Sequence, residues 1–206
     1  MRKTKRNDIL SSAVALFIEK GYLNTKIIDI AMNAGIGKGT VYEYFSSKEE
    51  ILLEVLSKVV VMDFQQISKK VDKETGCREQ LKAYLSGLMK LMEKYGSNMP
   101  DLTQQLLNPV NNVSIEILRI LHDIIVMQYK TVLSILTTGS KAGEIGNINL
   151  SMAAASVIGG MNNYITIKAG RCSPADAIQI PIPIDTSTWN EEDFIDLLMS
   201  GLEPSR

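Results

Sequence analysis

The chain has 206 residues, of which 45% are hydrophobic and 22% are charged, and its formal net charge is −1. This composition is typical of a soluble globular protein of one or two domains, and the charge argues against a protein that coats nucleic acid with its whole surface. No apolar run reaches 18 residues, and the basic first residues lead into an amphipathic pattern, unlike a signal peptide. We therefore expect a cytoplasmic protein with no membrane partner.

Residue types that build metal and redox sites are scarce in the chain. The two cysteines, Cys77 and Cys172, are too few for a disulfide framework and show no metal-ligand spacing. His122 is the only histidine, so a His-based triad or a paired-His metal site cannot be formed. We expect no metal, no cofactor and no catalytic residue.

Positive charge is concentrated at the N-terminal end. Residues 1–48 carry eight Lys or Arg against four acidic residues, whereas the remainder of the chain is net acidic. This distribution is expected if only the first 48 residues meet phosphate groups.

Apolar periodicity predicts three short helices at this end. The first covers about residues 4–20 and stops at Gly21, and the second begins near Ile27 and closes at Gly35. The glycines of the following Gly35-Ile36-Gly37 turn permit a tight connection, and a third helix then runs from Lys38 or Gly39 to Phe45. Two helices joined by a tight turn predict a helix-turn-helix at about residues 27–46, with its second helix offered to the DNA major groove.

The same segment resembles the N-terminal domain of the tetracycline-repressor (TetR) family of one-component transcriptional regulators. The resemblance covers about 45 residues and is carried by Phe17, Gly21, Thr25, Asp29-Ile30-Ala31, Ala34-Gly35, Lys38-Gly39-Thr40, Tyr42, Tyr44-Phe45 and Lys48-Glu49. It implies an all-helical homodimer with an N-terminal DNA-binding domain and a C-terminal domain for ligand and dimer contacts. Two helix starts depart from the family pattern, since Lys26 and Gly37 stand where a capping hydroxyl is more frequent. Thr25 is a candidate to replace the missing cap before the second helix.

Several side chains of this segment are candidate DNA contacts. The N-terminal end of the third helix approaches the bases, Gly39 allows a close backbone approach, and hydroxyls and ammonium groups suit phosphates and base edges. The predicted contacts are Thr25, Lys38, Gly39, Thr40, Tyr42, Tyr44 and Lys48. As alternatives, either tyrosine could pack in the domain core and Lys48 could be a solvated surface charge. Glu43 is expected to face solvent because a carboxylate repels phosphate.

The rest of the chain also reads as helical. A long helix of about 23 residues begins at the Ser46-Ser47-Lys48-Glu49-Glu50 capping box and would connect the DNA-reading end to a second domain. Further helices are predicted at about residues 77–95, 100–109, 112–138 and 150–169, with a loop at 139–146, and a last helix follows the Thr188-Trp189-Asn190-Glu191 capping box. The prediction is an all-α fold of about nine helices, with a DNA-binding domain at 1–48 and a helical ligand-binding and dimerisation domain at 49–206.

The second domain is expected to hold the dimer surface and the ligand pocket. Small residues near the C-terminus favour close helix approach, so the dimer candidates are Ala153, Ser156, Gly160, Phe194 and Leu198, with packing inside one chain as the alternative. The pocket candidates are Met89, Met92, Tyr95, His122, Met127 and Asn162, for each of which an ordinary core position is the competing interpretation. The Ile/Pro-rich stretch 175–187 is interpreted as an extended arm over the partner subunit or the ligand cavity, or as a plain loop.

These features predict a homodimeric, ligand-responsive repressor that binds a palindromic operator and is released by an unknown small molecule. An activator or a ligand-independent DNA-binding protein of the same fold is the alternative. An enzyme that uses the C-terminal cavity is a remote one, because the sequence offers no nucleophile–base pair, phosphate loop or metal cluster.

Overall fold

The computed structural model describes residues 2–95, 106, 108, 113–168 and 185–204, and within these ranges all regular structure is helical. The helices are α1 Arg2–Lys20, α2 Ile27–Asn33, α3 Lys38–Tyr42, α4 Lys48–Glu54, a π-helical turn Val55–Val60, α5 Val61–Val71, α6 Cys77–Tyr95, α7 Ile115–Lys141, α8 Leu150–Lys168 and α9 Glu191–Ser200. The all-α prediction is confirmed. The helix predicted at 100–109 and most of the Ile/Pro arm lie outside the described residues.

The chain folds as two compact units. Residues 1–63 and 94–124 form the first unit, and residues 64–93 and 125–206 form the second. The domain boundary predicted after residue 48 concerns the division of function and stays a prediction.

The first unit has a small apolar core at the junction of α1 to α4. The fully buried side chains are contributed by every helix of this group: Ile9, Ala13, Phe17, Ile30, Ala31, Val41, Phe45, Ile51 and Leu52. Gly21 and Gly35 end α1 and α2 with positive φ angles of 80° and 66°, a conformation that glycine adopts without steric cost. The predicted starts and stops of the first two helices are therefore confirmed.

The long connecting helix is not uniform, which corrects the prediction of one regular segment. The π-helical turn Val55–Val60 separates α4 from α5. The β-branched residue Val55 begins this stretch and Val61 follows it, and such side chains fit a regular α-helix less well than linear ones. A π-helical turn inside a helix widens the backbone locally and frequently lies at a functional position.

Close helix packing in the second unit depends on two glycines. A Cβ atom added to Gly87 of α6 would lie 2.8 Å from Cγ2 of Ile67 on α5. A Cβ atom added to Gly139 of α7 would lie 2.8 Å from Cβ of Cys77 on α6. Gly139 lies inside α7, which continues to Lys141, so the loop predicted at 139–146 begins later.

Two features of the second half of the chain differ from what the sequence pattern suggests. The last helix is capped by Asn190, whose side-chain oxygen accepts from the Asp193 N–H at 2.9 Å, so the predicted Thr188 cap is wrong. The helix α7, whose sequence is apolar almost all round, exposes Ile115 and Ile125. By length and composition alone α7 could cross a membrane, but a core helix of a soluble protein passes the same test.

Candidate nucleic-acid interface

The start of α2 is capped by a carboxylate. Lys26 is the N-cap residue, and its backbone N–H donates to Oδ2 of Asp29 at 3.1 Å. A lysine ammonium has no acceptor, so Lys26 cannot cap the helix with its own side chain. The predicted replacement of the missing cap by Thr25 is wrong, because Asp29 in the first turn supplies the acceptor and also suits the positive end of the helix dipole.

Thr25 is an interior residue of the connection between α1 and α2. Its side chain is buried, and its hydroxyl donates to the carbonyl oxygens of Gly21 at 2.8 Å and Leu16 at 3.2 Å. These bonds satisfy carbonyls left open at the end of α1. The predicted contact of the Thr25 side chain with DNA is therefore corrected to a structural role.

Lys48 is engaged in the same connection. Its Nζ donates to the carbonyl oxygens of Tyr22 at 2.7 Å, Thr25 at 2.8 Å and Leu23 at 3.3 Å, and lies 4.3 Å from the centroid of the Tyr22 ring. All three donors of the ammonium group have partners, and burial lowers the pKa of Lys48. The phosphate clamp predicted for this residue is corrected accordingly: Lys48 ties α4 to the α1–α2 connection.

A sequence signal for this role exists in hindsight. Lys48 is the first residue of α4, where the helix dipole disfavours a cation. A lysine at that position needs compensating acceptors, and the carbonyl groups after α1 provide them. The neighbouring capping box was predicted correctly, since Ser47 Oγ accepts from the Glu50 N–H at 3.1 Å and Glu50 Oε2 accepts from the Ser46 N–H at 2.6 Å.

Arg6 fixes the position of the segment that follows α3, a role that the sequence did not reveal. Its Nη1 donates to the Tyr44 carbonyl at 2.9 Å, its guanidinium lies 4.3 Å from the centroid of the Phe45 ring, and it forms an ion pair with Glu54 at the end of α4. Glu54 is also paired with Lys58 at 2.6 Å. The bond from Arg6 lowers the pKa of Glu54, and the Lys58 bond adds to that effect. One side chain thus connects α1, the end of the helix-turn-helix and α4.

One face of helix α3 is exposed to solvent. Lys38, Gly39 and Tyr42 are exposed, while Thr40 and Tyr44 are half-buried. Lys38 and Tyr42 are one turn apart, and the lysine Nζ lies 5.7 Å from the tyrosine ring centroid. An added Cβ atom at Gly37 or Gly39 would meet nothing within 4 Å, so this surface is open. Glu43 is exposed, as expected.

Most candidate dimer residues pack inside the chain. An added Cβ atom at Gly160 would lie 3.6 Å from Cζ of Phe194 and 3.8 Å from Cδ2 of Leu198, so these three residues join α8 to α9 of one chain. Ala153 is buried. This is the intramolecular packing that the sequence left open as the alternative, but Gly160, Phe194 and Leu198 are only half-buried in one chain, so their assignment to the dimer surface stays a prediction. Ser156 is exposed and remains a candidate.

The candidate pocket residues divide into interior and surface positions. Met89, Met92 and Met127 are half-buried, and Tyr95 is the last residue of α6. His122 and Asn162 are exposed, so neither lines an interior pocket, which corrects both assignments. Cys77 is buried, and desolvation together with the Glu144 carboxylate raises its pKa to about 11. Among the described residues no group of three or more His, Cys, Asp or Glu side chains could hold a metal ion.

Comparison with known proteins agrees with this geometry. The family model described as bacterial regulatory proteins, tetR family, matches residues 9–55. The fatty acid metabolism regulator protein of Bacillus subtilis (strain 168) is 25% identical over 166 residues, which cover 80% of this chain and 84% of that protein.

Two solved structures share the fold over almost the whole chain. The transcriptional regulator FadR from Bacillus subtilis in complex with stearoyl-CoA has a TM-score of 0.67 at 21% identity, covering 95% of this chain and 98% of that one. AibR in complex with isovaleryl coenzyme A and operator DNA has a TM-score of 0.66 at 16% identity, covering 98% and 100%. With α3 exposed beside the turn that Arg6 and Lys48 hold in place, residues 9–55 belong to the tetR family of bacterial regulatory proteins.

Proposed function

We propose that this regulator is a cytoplasmic homodimeric repressor that binds a palindromic operator and releases it when an acyl-coenzyme A thioester binds to the C-terminal domain. The observation that carries the DNA-binding part is the open face of α3, where Lys38, Gly39 and Tyr42 are exposed on a helix that is held from behind by its buried Val41. Thr40 and Tyr44 complete the proposed contact set. In this proposal residues 1–48 read DNA and residues 49–206 bind ligand and form the dimer.

The effector class is supported by relatives. The fatty acid metabolism regulator of Bacillus subtilis is similar to this chain over 80% of the chain's length. The structures of two proteins with the same fold contain acyl-coenzyme A thioesters. Those ligands differ greatly in chain length, so the shared chemistry is the thioester joined to coenzyme A, and the acyl length is left to experiment.

The structure also offers a route for coupling. Oε1 of Glu49 on α4 accepts from the Ser114 N–H at 3.2 Å, immediately before α7, and Ile117 in the first turn of α7 is buried. Residues 115–124 of α7 group with the first unit, whereas the remainder of the helix groups with the second. A shift of α7 would therefore pull on α4. A coupling free energy of about 1–3 kcal/mol lowers operator affinity roughly 5- to 150-fold.

The test is a fluorescence anisotropy titration of the dimeric protein on DNA from the region upstream of its own gene, with a scrambled duplex as control. Specific binding that falls with rising salt, and release on addition of stearoyl-CoA or isovaleryl-CoA but not free coenzyme A, is the expected result. Equal affinity for both duplexes would contradict the repressor. Tighter operator binding with the thioester, together with increased transcription from the promoter, would favour the activator instead.

A further inference from the structure

Among the residues that the structure describes, two tyrosine hydroxyls of the second unit are buried without a hydrogen-bond partner. They belong to Tyr84 on α6 and Tyr164 on α8, whose residues are 2% and 4% exposed. Buried polar groups nearly always have a partner in folded proteins, because the donor loses its bond to water on burial. An orphaned hydroxyl inside a ligand-responsive domain is therefore a candidate for a contact that forms only with ligand.

Packing accounts for the presence of Tyr164 but not for the hydroxyl of Tyr84. The Tyr164 ring stacks on Phe194 with centroids 4.5 Å apart and on Trp189 with centroids 5.7 Å apart. These contacts join α8 to α9 and to the segment before it, and they explain an aromatic residue at this position. Tyr84 has no such ring partner among the described aromatic contacts, and a phenylalanine would fill its place equally well.

The surroundings of Tyr84 suit an apolar chain with a single acceptor. On α6 the residues one turn away on the same face, Leu81 and Leu88, are buried and apolar, and so is the next residue, Leu85. Burial strongly raises the pKa of Tyr84, so its phenol stays neutral and keeps its proton to donate. An acyl thioester presents apolar methylenes and one carbonyl oxygen that accepts a hydrogen bond.

We propose that the Tyr84 hydroxyl donates a hydrogen bond to the thioester carbonyl oxygen of the effector in the interior of the second unit. This inference rests on the proposed function. It adds a residue that selects acyl thioesters over ligands of the same length and apolar character that lack the carbonyl. Within the described part of the chain this hydroxyl has no partner, so in the free protein it adds no hydrogen bond to the stability of the fold.

Calorimetric titrations with two probes test the inference: stearoyl-CoA and S-octadecyl-CoA, the thioether in which a methylene replaces the carbonyl. The full-length protein should bind the thioester roughly 5- to 30-fold more tightly, the effect of one hydrogen bond to an otherwise unpaired buried donor. Tyr84→Phe should remove this preference, because it should lower the affinity for the thioester and leave the affinity for the thioether unchanged. The matched control Tyr164→Phe should keep it.

Two companion measurements separate ligand binding from folding. Tyr84→Phe without ligand should show an unchanged or raised unfolding temperature, and its operator affinity should equal that of the wild type. A thioester preference that survives in Tyr84→Phe would overturn the inference while leaving the proposed function intact. A clearly lowered unfolding temperature would also overturn it, because the hydroxyl would then have a partner in the free protein. Failure of the wild type to bind stearoyl-CoA, its thioether and isovaleryl-CoA would overturn the proposed effector class together with this inference.

Discussion

At the residue scale, two lysines of the DNA-binding segment have different roles although the sequence predicts the same one for both. Lys38 is exposed at the start of α3, whereas the ammonium group of Lys48 donates to three backbone carbonyl groups of the α1–α2 connection. The difference is one of available donors. A lysine with no free N–H cannot bind phosphate without first breaking its internal bonds.

This difference predicts opposite phenotypes for two substitutions. Lys48→Met keeps the apolar stem but removes the bonds to the carbonyls, and we expect it to lower the free energy of unfolding by about 1–2 kcal/mol. Lys38→Ala should leave stability unchanged within about 0.5 kcal/mol, weaken operator binding and reduce the slope of log affinity against log salt by about 1. Chemical denaturation and salt-dependent anisotropy measure the two effects. Lys48 would instead be a phosphate contact, as first predicted, if Lys48→Met kept the wild-type free energy of unfolding while its slope of log affinity against log salt fell by about 1.

At the element scale, the ion pair of Arg6 and Glu54 joins α1 to α4 directly before the π-helical turn. Arg6 also donates to the Tyr44 carbonyl oxygen, so this one side chain links the end of the helix-turn-helix to the start of the π-helical turn. Both ion pairs share Glu54, but the Arg6 side chain is 33% exposed and the Lys58 side chain 61%, so the Arg6 pair is less screened by water and stabilises more.

The bridge predicts acid sensitivity of the first unit. A carboxyl group whose pKa is lowered by folding stabilises the native state at pH values above its ordinary pKa, near 4.3. That contribution is lost as the pH falls through the lowered pKa of the folded state. We expect Glu54→Gln to lower the free energy of unfolding by about 1 kcal/mol at neutral pH. In acid, the free energies of unfolding of the variant and of the wild type should become equal.

Thermal unfolding between about pH 6 and pH 3 checks this expectation. The control Lys58→Gln should change stability by less than about 0.5 kcal/mol and keep the acid dependence. Glu50, whose pKa is lowered by its bonds from Ser46, leaves a residual acid dependence in every variant. An acid dependence of Glu54→Gln that equals that of the wild type would show that the bridge does not stabilise the fold.

At the scale of the whole molecule, the exposed stripe of α8 beside the face that meets α9 is the better candidate for the dimer contact. Met152, Ser156, Gly159 and Asn163 share one stripe of α8 and are all exposed, and Leu197 is exposed on α9. Nothing lies within 4 Å of an added Cβ atom at Gly159, in contrast to Gly160. The small residues still suit close helix approach, with the partner subunit on the stripe adjacent to the intramolecular contact.

Charge substitution on this stripe tests the dimer. Met152→Glu and Leu197→Glu would each bury an unpaired carboxylate, and we expect the dimer to weaken by at least about 30-fold. Sedimentation equilibrium measures this change, and operator affinity should fall with it because a palindrome needs both recognition helices. Met62→Glu, at an exposed position on α5, is the control that should stay dimeric. Full dimer affinity in both stripe variants would place the interface elsewhere.

Sequence alone determined the all-α fold, the limits of α1 and α2, and the helix-turn-helix that names the family. These features are local: apolar periodicity, the glycines at positions 21 and 35 and the Ser47 cap act within a few residues of one another. The exposed positions of α3 followed from the same periodicity and from the resemblance.

Only the tertiary structure decided which polar side chains form hydrogen bonds inside the molecule. Thr25 and Lys48 are drawn inward by carbonyl groups up to 26 residues away, and Arg6 reaches Glu54 across 48 residues. The face of α8 that meets α9 likewise depends on how two distant helices dock. Sequence patterns report which side chains can form hydrogen bonds, but the partner of each is set by contacts between distant segments, which no local pattern encodes.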